Sequence, residues 1–291
     1  MIFGLAAALG WGSADYLGAV AGRRLGSLPT VVIGQVLSTA FMVVLVIATG
    51  QEVSRVSTFV WPLVLNGIFT AVAYAGHYRA LELGPVAVVS PIGASYAVVG
   101  IALSMLIRGE QPGALALAGA GITVAGVALV STDFRALRAG IRGHVPGLPW
   151  ALVSAASFGI AAFLLGSAAR ELGWILGLAA SRIAQVTCYV PFVVAKRAQF
   201  TRIPALPAAA VGVGLALAAG AADLLGVTTF SAGAEAGLLS IVLAASAVFP
   251  AIAVGLSIAL LHERLVPNQW LGVSLVAAGL LILGVGANGA G

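Results

Sequence analysis

Three ionisable residues, Asp15, Arg182 and Asp223, stand deep inside long apolar runs of the chain. A charge at the centre of a bilayer costs about 2.5–3.5 kcal/mol on insertion scales, so each such group has to be paired or put to use. Arg182 and Asp223 admit two readings. They form an ion pair that locks two helices, or Arg182 holds an anionic or carboxylate group of a solute in a central cavity that Asp223 also lines. Asp15 has only His77 at a comparable depth. A carboxyl in such a place can take up and release a proton, which makes Asp15 a candidate proton carrier. The plainer alternative is a carboxylate hydrogen-bonded to Ser, Tyr or backbone, or hydrated near the cavity mouth.

Further residues share faces with these. Trp11 precedes Asp15 by one helical turn and projects from the same side. Tyr74, His77 and Tyr78 follow i, i+3, i+4 spacing, and Ser154, Ser157 and Phe158 repeat it. Aromatic and hydroxyl faces of this kind suit a pocket for an amphipathic or aromatic solute. They also suit helix packing or interfacial anchoring, above all for Tyr78 near its membrane end. Gln35 is a hydrogen-bond donor opposite Arg182, and Tyr96 can stack beside a kinked span. The candidate substrate-binding set is therefore Trp11, Gln35, Tyr74, His77, Tyr96, Ser157, Phe158, Arg182 and Asp223, with Asp15 for proton coupling.

Other chemistries lack their residues. The single cysteine, Cys188, has no partner for a disulfide, and His77, His144 and His262 are too far apart to pair on a metal. No nucleophile stands beside a base at readable spacing and there is no aspartate dyad, so a membrane-embedded enzyme is the weaker alternative. A passive channel would show a filter-like polar segment or charged rings, and neither is present. No phosphate-binding loop appears. No catalytic residue, metal or cofactor is expected.

The positioning elements follow from composition. The 291 residues are 61% hydrophobic and 8% charged, whereas soluble domains are about a quarter charged. A spanning helix needs about 20 apolar residues. Spans are expected near 2–20, 28–49, 59–80, 84–107, 113–131, 148–168, 173–195, 206–230, 235–261 and 267–285. The apolar start at Met1-Ile2-Phe3 lacks a basic signal-peptide region, so the first span is expected to be retained. Pro29, Pro85, Pro112, Pro149, Pro207 and Pro267 mark helix starts. Pro91 and Pro250 fall inside spans four and nine and should kink them. The net charge of +5 comes from arginines and lysines in short loops, a pattern of membrane insertion and not of nucleic-acid binding.

The sequence also repeats. A shift of 153 residues lays Glu82 on Glu235, Gly84 on Gly237, Ser104 on Ser257, Glu110 on Glu263, and Gly119 and Gly126 on Gly272 and Gly279. A shift of 147 lays Trp11-Gly12 on Phe158-Gly159 and Gln35 on Arg182. The expected fold is an all-α integral membrane protein of ten transmembrane helices in two five-helix repeats, 1–135 and 148–291, joined by a basic loop, 136–147. An odd number of crossings per repeat inverts the second copy and places a site between the halves near the midplane. Loops 1–2, 3–4, 5–6, 7–8 and 9–10 hold Arg23, Arg24, Arg79, Arg135, Arg138, Arg142, Lys196, Arg197, Arg202 and Arg264; the alternate set holds Arg55, Arg108 and Arg170. The positive-inside rule then puts both termini outside. Glu110 and Glu263, beside arginines at helix ends, read as surface caps or pairs. The glycine stripes Gly119/Gly126 and Gly272/Gly279 read as packing surfaces, with room for a homodimer as well as a monomer.

These features together resemble the drug/metabolite transporter superfamily, specifically its ten-helix EamA-type members. The likeness rests on Phe249-Pro250-Ala251, on His262-Glu263 closing the same span, and on the glycine-spaced span from Leu271-Gly272 through Gly279. The first half offers Gly109-Glu110 and Gly119 through Gly126, with Ala97 in place of the repeat's proline and Pro91 displaced from it. Trp11-Gly12 is similar to the family's first helix and Arg182 to an arginine of a repeat's second helix. The resemblance implies a secondary transporter in a plasma membrane, a bacterial inner membrane above all. It implies export of amino acids, other metabolites or drugs, driven by protons or exchange.

Overall fold

The computed structural model describes residues 2–108, 113–130, 146–195, 197, 209–236, 246, 249–262 and 264–288. Their secondary structure is helical: α1 Ile2–Leu25, α2 Ser27–Ala48, a 3-10 segment Val53–Phe59, α3 Val60–Leu83, α4 Val86–Ala94, α5 Tyr96–Arg108, α6 Ala114–Val130, α7 Leu148–Leu172, α8 Trp174–Ala195, α9 Ala210–Glu235, α10 Phe249–Leu261 and α11 Pro267–Asn288. Among the described residues, five stretches are long and apolar enough to cross a bilayer: Ser27–Ala48, Val53–Leu83, Leu148–Leu172, Trp174–Ala195 and Ala210–Glu235.

The distribution of side chains is that of a protein in lipid. Ile47, Trp61 and Val44 of α2 and α3 are 74%, 77% and 64% exposed, while Arg182, Asp223, Gln35 and Asn66 are buried at 2% or less. Hydrocarbon cannot solvate polar groups, so they turn inward and satisfy one another. The buried face of α1 is built from Gly4, Ala7, Ala8, Gly10, Gly12, Ala14, Gly18, Ala19, Ala21 and Gly22. Small residues let backbones approach where no hydrophobic effect drives helices together. A Cβ on Gly10 would stand 2.5 Å from the Ala222 carbonyl oxygen, so α1 and α9 touch backbone to backbone. Beyond α9, α1 packs on α10, α3, α2 and α4. In the same manner α3 packs on α7 and α8, α2 on α9 and α8, and α6 on α11.

Several elements differ from the sequence reading. The first helix runs five residues past the expected end, through Arg23 and Arg24, because Arg23 Nη2 donates to the Gly84 carbonyl at 3.1 Å and ties that end down. Span four is two helices. Pro91 removes one backbone donor, but the break comes at Ser95, whose N–H and hydroxyl both bond to the Ile92 carbonyl, at 3.1 and 2.6 Å. This tightened turn ends α4, and Tyr96 starts α5. Pro250 is the second residue of the described stretch Phe249–Leu261, and residues 247 and 248 before it lie outside the described residues. The 3-10 segment before α3 was not expected. The basic loop except Pro146 and Gly147, and Gly109, Glu110, Gly237 and Glu263, lie outside the described residues.

His262 closes α10 with φ 55°, the left-handed region, where a side chain costs about 1 kcal/mol relative to glycine. His262→Gly should therefore raise the thermal unfolding temperature of the detergent-solubilised protein, by about 1 kcal/mol of stability. A fall would show that the imidazole makes an interaction worth more than the backbone strain.

Candidate functional site

Helical periodicity builds the centre of the bundle. On α8, Leu178, Ser181, Arg182, Gln185 and Tyr189 are buried while Ile183, Val190 and Val194 face outward. This inward face carries Arg182 to a point where α2, α3 and α9 converge. Its Nη1 donates to Gln35 Oε1 and to Gln185 Oε1, the latter at 3.0 Å. Its Nη2 donates to Asp223 Oδ2 at 2.9 Å and to the Tyr74 hydroxyl oxygen at 3.3 Å. Tyr74 in turn donates to Asp223 Oδ1 at 2.5 Å, and Gln35 Nε2 donates to Asp223 Oδ2 at 3.3 Å. The pair is thus fully desolvated but well hydrogen-bonded, the condition under which a buried ion pair is tolerated. Arg182 Nε has no partner among the described residues.

A second polar pair lies between α1 and α3. His77 Nε2 and Asp15 Oδ1 are 2.7 Å apart, and both residues are more than nine-tenths buried. With Asp15 ionised, Nε2 carries the donated proton. Asp15 Oδ2 and His77 Nδ1 have no partner among the described residues. The His77 ring is held by α4: a Cβ on Gly93 would stand 3.0 Å from its Cε1. Phe158 of α7 meets both His77 and Tyr74 edge-on, with ring centroids 5.8 and 4.9 Å away.

Between these pairs is a cavity of about 110 Å³, measured as space open to the centre of a water molecule. One water needs about 10–15 Å³ on that scale, so the cavity has room for several waters or one small solute. Its opposite wall is aromatic. Trp11 packs against Tyr96, Phe230 and Phe249, with centroids 6.5, 5.4 and 6.1 Å away. The lining spans residues 11–15 of α1, 66–78 of α3, 158–165 of α7, 178–185 of α8 and 223–230 of α9. These segments lie at or near the middle of each helix. Near the C-terminal end of α3, Arg79 pairs with Glu82 on the same helix at 2.8 Å, and Gly147 lies against Ala80.

Of the candidate residues, Trp11, Asp15, Tyr74, His77, Tyr96, Phe158, Arg182 and Asp223 line this cavity. Gln35 stands behind it, bonded to Arg182 and Asp223. Ser157 is buried but does not line it; the cavity face of α7 begins at Phe158 and continues through Ala161, Ala162 and Leu165. The sequence reading missed Asn66, Thr70, Ser181, Gln185, Phe230 and Phe249, which also line it. Gln185 follows Arg182 by one turn, and Asn66 and Thr70 precede Tyr74 by two turns and one, so helical spacing from recognised residues would have found them. Asn66 Nδ2 also donates to the Ala161 carbonyl at 2.7 Å, tying α3 to α7. Among the described residues no group of three His, Cys, Asp or Glu side chains could hold a metal ion.

Comparison with known proteins agrees with this picture. Residues 1–132 match the model of the EamA-like transporter family, which falls within the drug/metabolite transporter superfamily. A solved structure described only as "Crystal structure of protein" superposes with a TM-score of 0.65, over 99% of this chain and 96% of that one, at 18% identity. That likeness shows a shared fold. No curated protein matches the chain.

Proposed function

We propose that this chain, whose residues 1–132 match the model of the EamA-like transporter family, is a secondary active transporter of a small metabolite or drug. It works by alternating access, with export as its direction. The observation that carries this reading is the central cavity: a polar and aromatic pocket inside an apolar-faced helix bundle, lined by α1 and α3 from the first half and α7, α8 and α9 from the second.

Alternating access needs two halves that rock about the site, and the packing supports two equivalent ones. A Cβ on Gly12 would stand 2.7 Å from the Phe249 carbonyl oxygen, and one on Gly159 would stand 2.7 Å from that of Tyr96. These are the same contact under the 147- and 153-residue shifts. Gly126 lies against Val276 and Gly272, and Gly279 against Thr123 and Gly119, again an exchanged set. Glu82 accepts from the Ser27 N–H at 3.2 Å at the start of α2, and Glu235 accepts from the Trp174 N–H at 2.9 Å at the start of α8. A scarce residue type repeated with the same bond favours duplication over coincidence, and five spans per half invert the second copy.

In this reading the Asp15–His77 pair carries the coupling proton. The Arg182–Asp223 network holds α2, α3, α8 and α9 around the solute, which Trp11, Tyr96 and Phe158 enclose. The protein resides in a plasma membrane, a bacterial inner membrane, with both termini outside, as a monomer or homodimer. Solute counterflow into proteoliposomes, with a panel of amino acids and cationic drugs and with and without a pH gradient, tests the function. Saturable transport should respond to the gradient in the wild type, and Asp15→Asn should lose that response while remaining folded. Unchanged coupling in the variant would remove Asp15 from the proton path, and no saturable movement of any solute would count against a carrier.

A further inference from the structure

We propose that a groove on the lipid-facing side of the bundle holds one phospholipid, and that its rim selects a headgroup carrying both a phosphate and a primary ammonium. The groove runs between α2, the 3-10 segment, α3 and α8, and measures about 520 Å³ as space open to the centre of a water molecule. All of its lining residues are Val, Ile, Leu or Ala, and Ile47 and Ile183 among them are exposed. On α8 the lining runs from Leu176 to Ala184, a rise of about 12 Å. One leaflet of hydrocarbon is about 15 Å deep, so the groove follows most of a leaflet. Its inner end is closed where α3 and α8 meet: a Cβ on Gly67 would stand 2.5 Å from the Ala184 Cβ.

The other end lies at the start of α3, where the 77% exposed Trp61 marks the headgroup level. Val53 and Val56 line the groove there. Arg55 stands between them and donates from Nη2 to the Glu171 carbonyl at 2.5 Å, at the end of α7. The rim therefore gathers Glu52 and Arg55 with Arg170 and Glu171 from the last turn of α7, all four exposed. Among the described residues the Arg170 and Glu171 side chains make no hydrogen bond or ion pair, the Arg55 guanidinium bonds that carbonyl alone, and Glu52 accepts from Ser54 at 2.9 Å. Glu235, which accepts from the Trp174 N–H at the start of α8, adds a third carboxylate at this end.

Selection falls to this rim. An acyl chain that leaves bulk lipid for the groove exchanges one apolar surface for another, so the chain confers no preference. Guanidinium groups take a phosphate by charge-assisted hydrogen bonds. The carboxylates beside them take an ammonium, which donates where a trimethylammonium has no N–H to give. A headgroup with a phosphate and no cation leaves the carboxylates unanswered and is repelled by them. Because α2 and α3 belong to the first half of the chain and α8 to the second, the lipid packs against both and stabilises the folded protein by binding it.

Binding to the purified full chain in detergent would be measured with dioleoyl phosphatidylethanolamine, phosphatidylcholine and phosphatidylglycerol. Native mass spectrometry counts the bound lipid, and the unfolding temperature rises with it. One copy of the ethanolamine lipid should be held about tenfold more tightly than either of the others. Arg55→Gln with Arg170→Gln should weaken the ethanolamine and choline lipids alike, about tenfold. Glu52→Gln with Glu171→Gln should bring the ethanolamine lipid down towards the choline one and leave the latter unchanged. These side chains are exposed, so both variants should fold. Equal binding of the three lipids, tightest binding of the glycerol lipid, or an ethanolamine preference untouched by both variants would overturn the proposal. Disulfide cross-linking of Ile183→Cys between two copies, in a Cys188→Ser background, would overturn it too by assigning the groove to a second chain.

Discussion

Arg182→Met should destabilise the protein by about 3–5 kcal/mol, the cost of leaving one member of a buried ion pair without its partner. The reason is geometric. Asp223 is 2% exposed, and its carboxylate would keep only the Tyr74 and Gln35 donors. The loss should appear as a large drop in thermal unfolding temperature in detergent, or as aggregation on size exclusion. Asp223→Asn in the Arg182→Met background should recover most of it, because the uncompensated charge is then gone. A single Arg182→Met variant as stable as the wild type would mean that Asp223 is solvated or protonated in the native protein. Exchanging the two residues addresses function: folding restored with transport lost would assign Arg182 a part in solute binding beyond its structural one.

The second large effect is expected at the α6–α11 crossing. Gly126→Val and Gly279→Val should each destabilise by about 3 kcal/mol, the upper part of the range for overpacking. A Cβ on Gly126 would stand 2.6 Å from the Val276 backbone nitrogen, and one on Gly279 would stand 2.6 Å from that of Thr123. Each meets backbone, which cannot rotate away, and Gly279 also meets the Thr123 Oγ1, so the helices must separate. The two losses should be similar in size, because each glycine meets the counterpart of what the other meets. Unfolding curves of the two single variants provide the check. Markedly unequal losses would argue that the halves are not equivalent here.

Much of this could be read in the chain beforehand. Charged residues in apolar runs are few, so Arg182 had one plausible opposite partner and Asp15 one neighbour at its depth, and the structure pairs both as depth suggested. Gln35 was legible through the 147-residue shift that lays it on Arg182. Ser157 was not, because spacing gives a face but not the rotation of the helix, and α7 turns its Phe158–Leu165 side to the cavity. The displaced break at Ser95 was also hidden. Proline removes a donor at a known place, but the helix yields where other groups capture a carbonyl of the ladder, and here the Ser95 N–H and hydroxyl take that of Ile92. The extension of α1 past residue 20 depended on Arg23 finding a carbonyl 61 residues away, a contact no local pattern encodes. Asn66 and Thr70 were overlooked because uncharged polar residues are unremarkable in an apolar span until their neighbours are known.

The central claim is that one cavity is reached from each side of the membrane in turn, and thiol accessibility tests it directly. Cys188 is the sole cysteine, so a Cys188→Ser background leaves Ala162→Cys as the only thiol, placed on the cavity wall. A membrane-impermeant thiol reagent would be applied to sealed vesicles of each orientation. Alternating access predicts labelling from both faces, without leakage of the reagent to the far side. Labelling from one face only, whether or not solute is present, would contradict it.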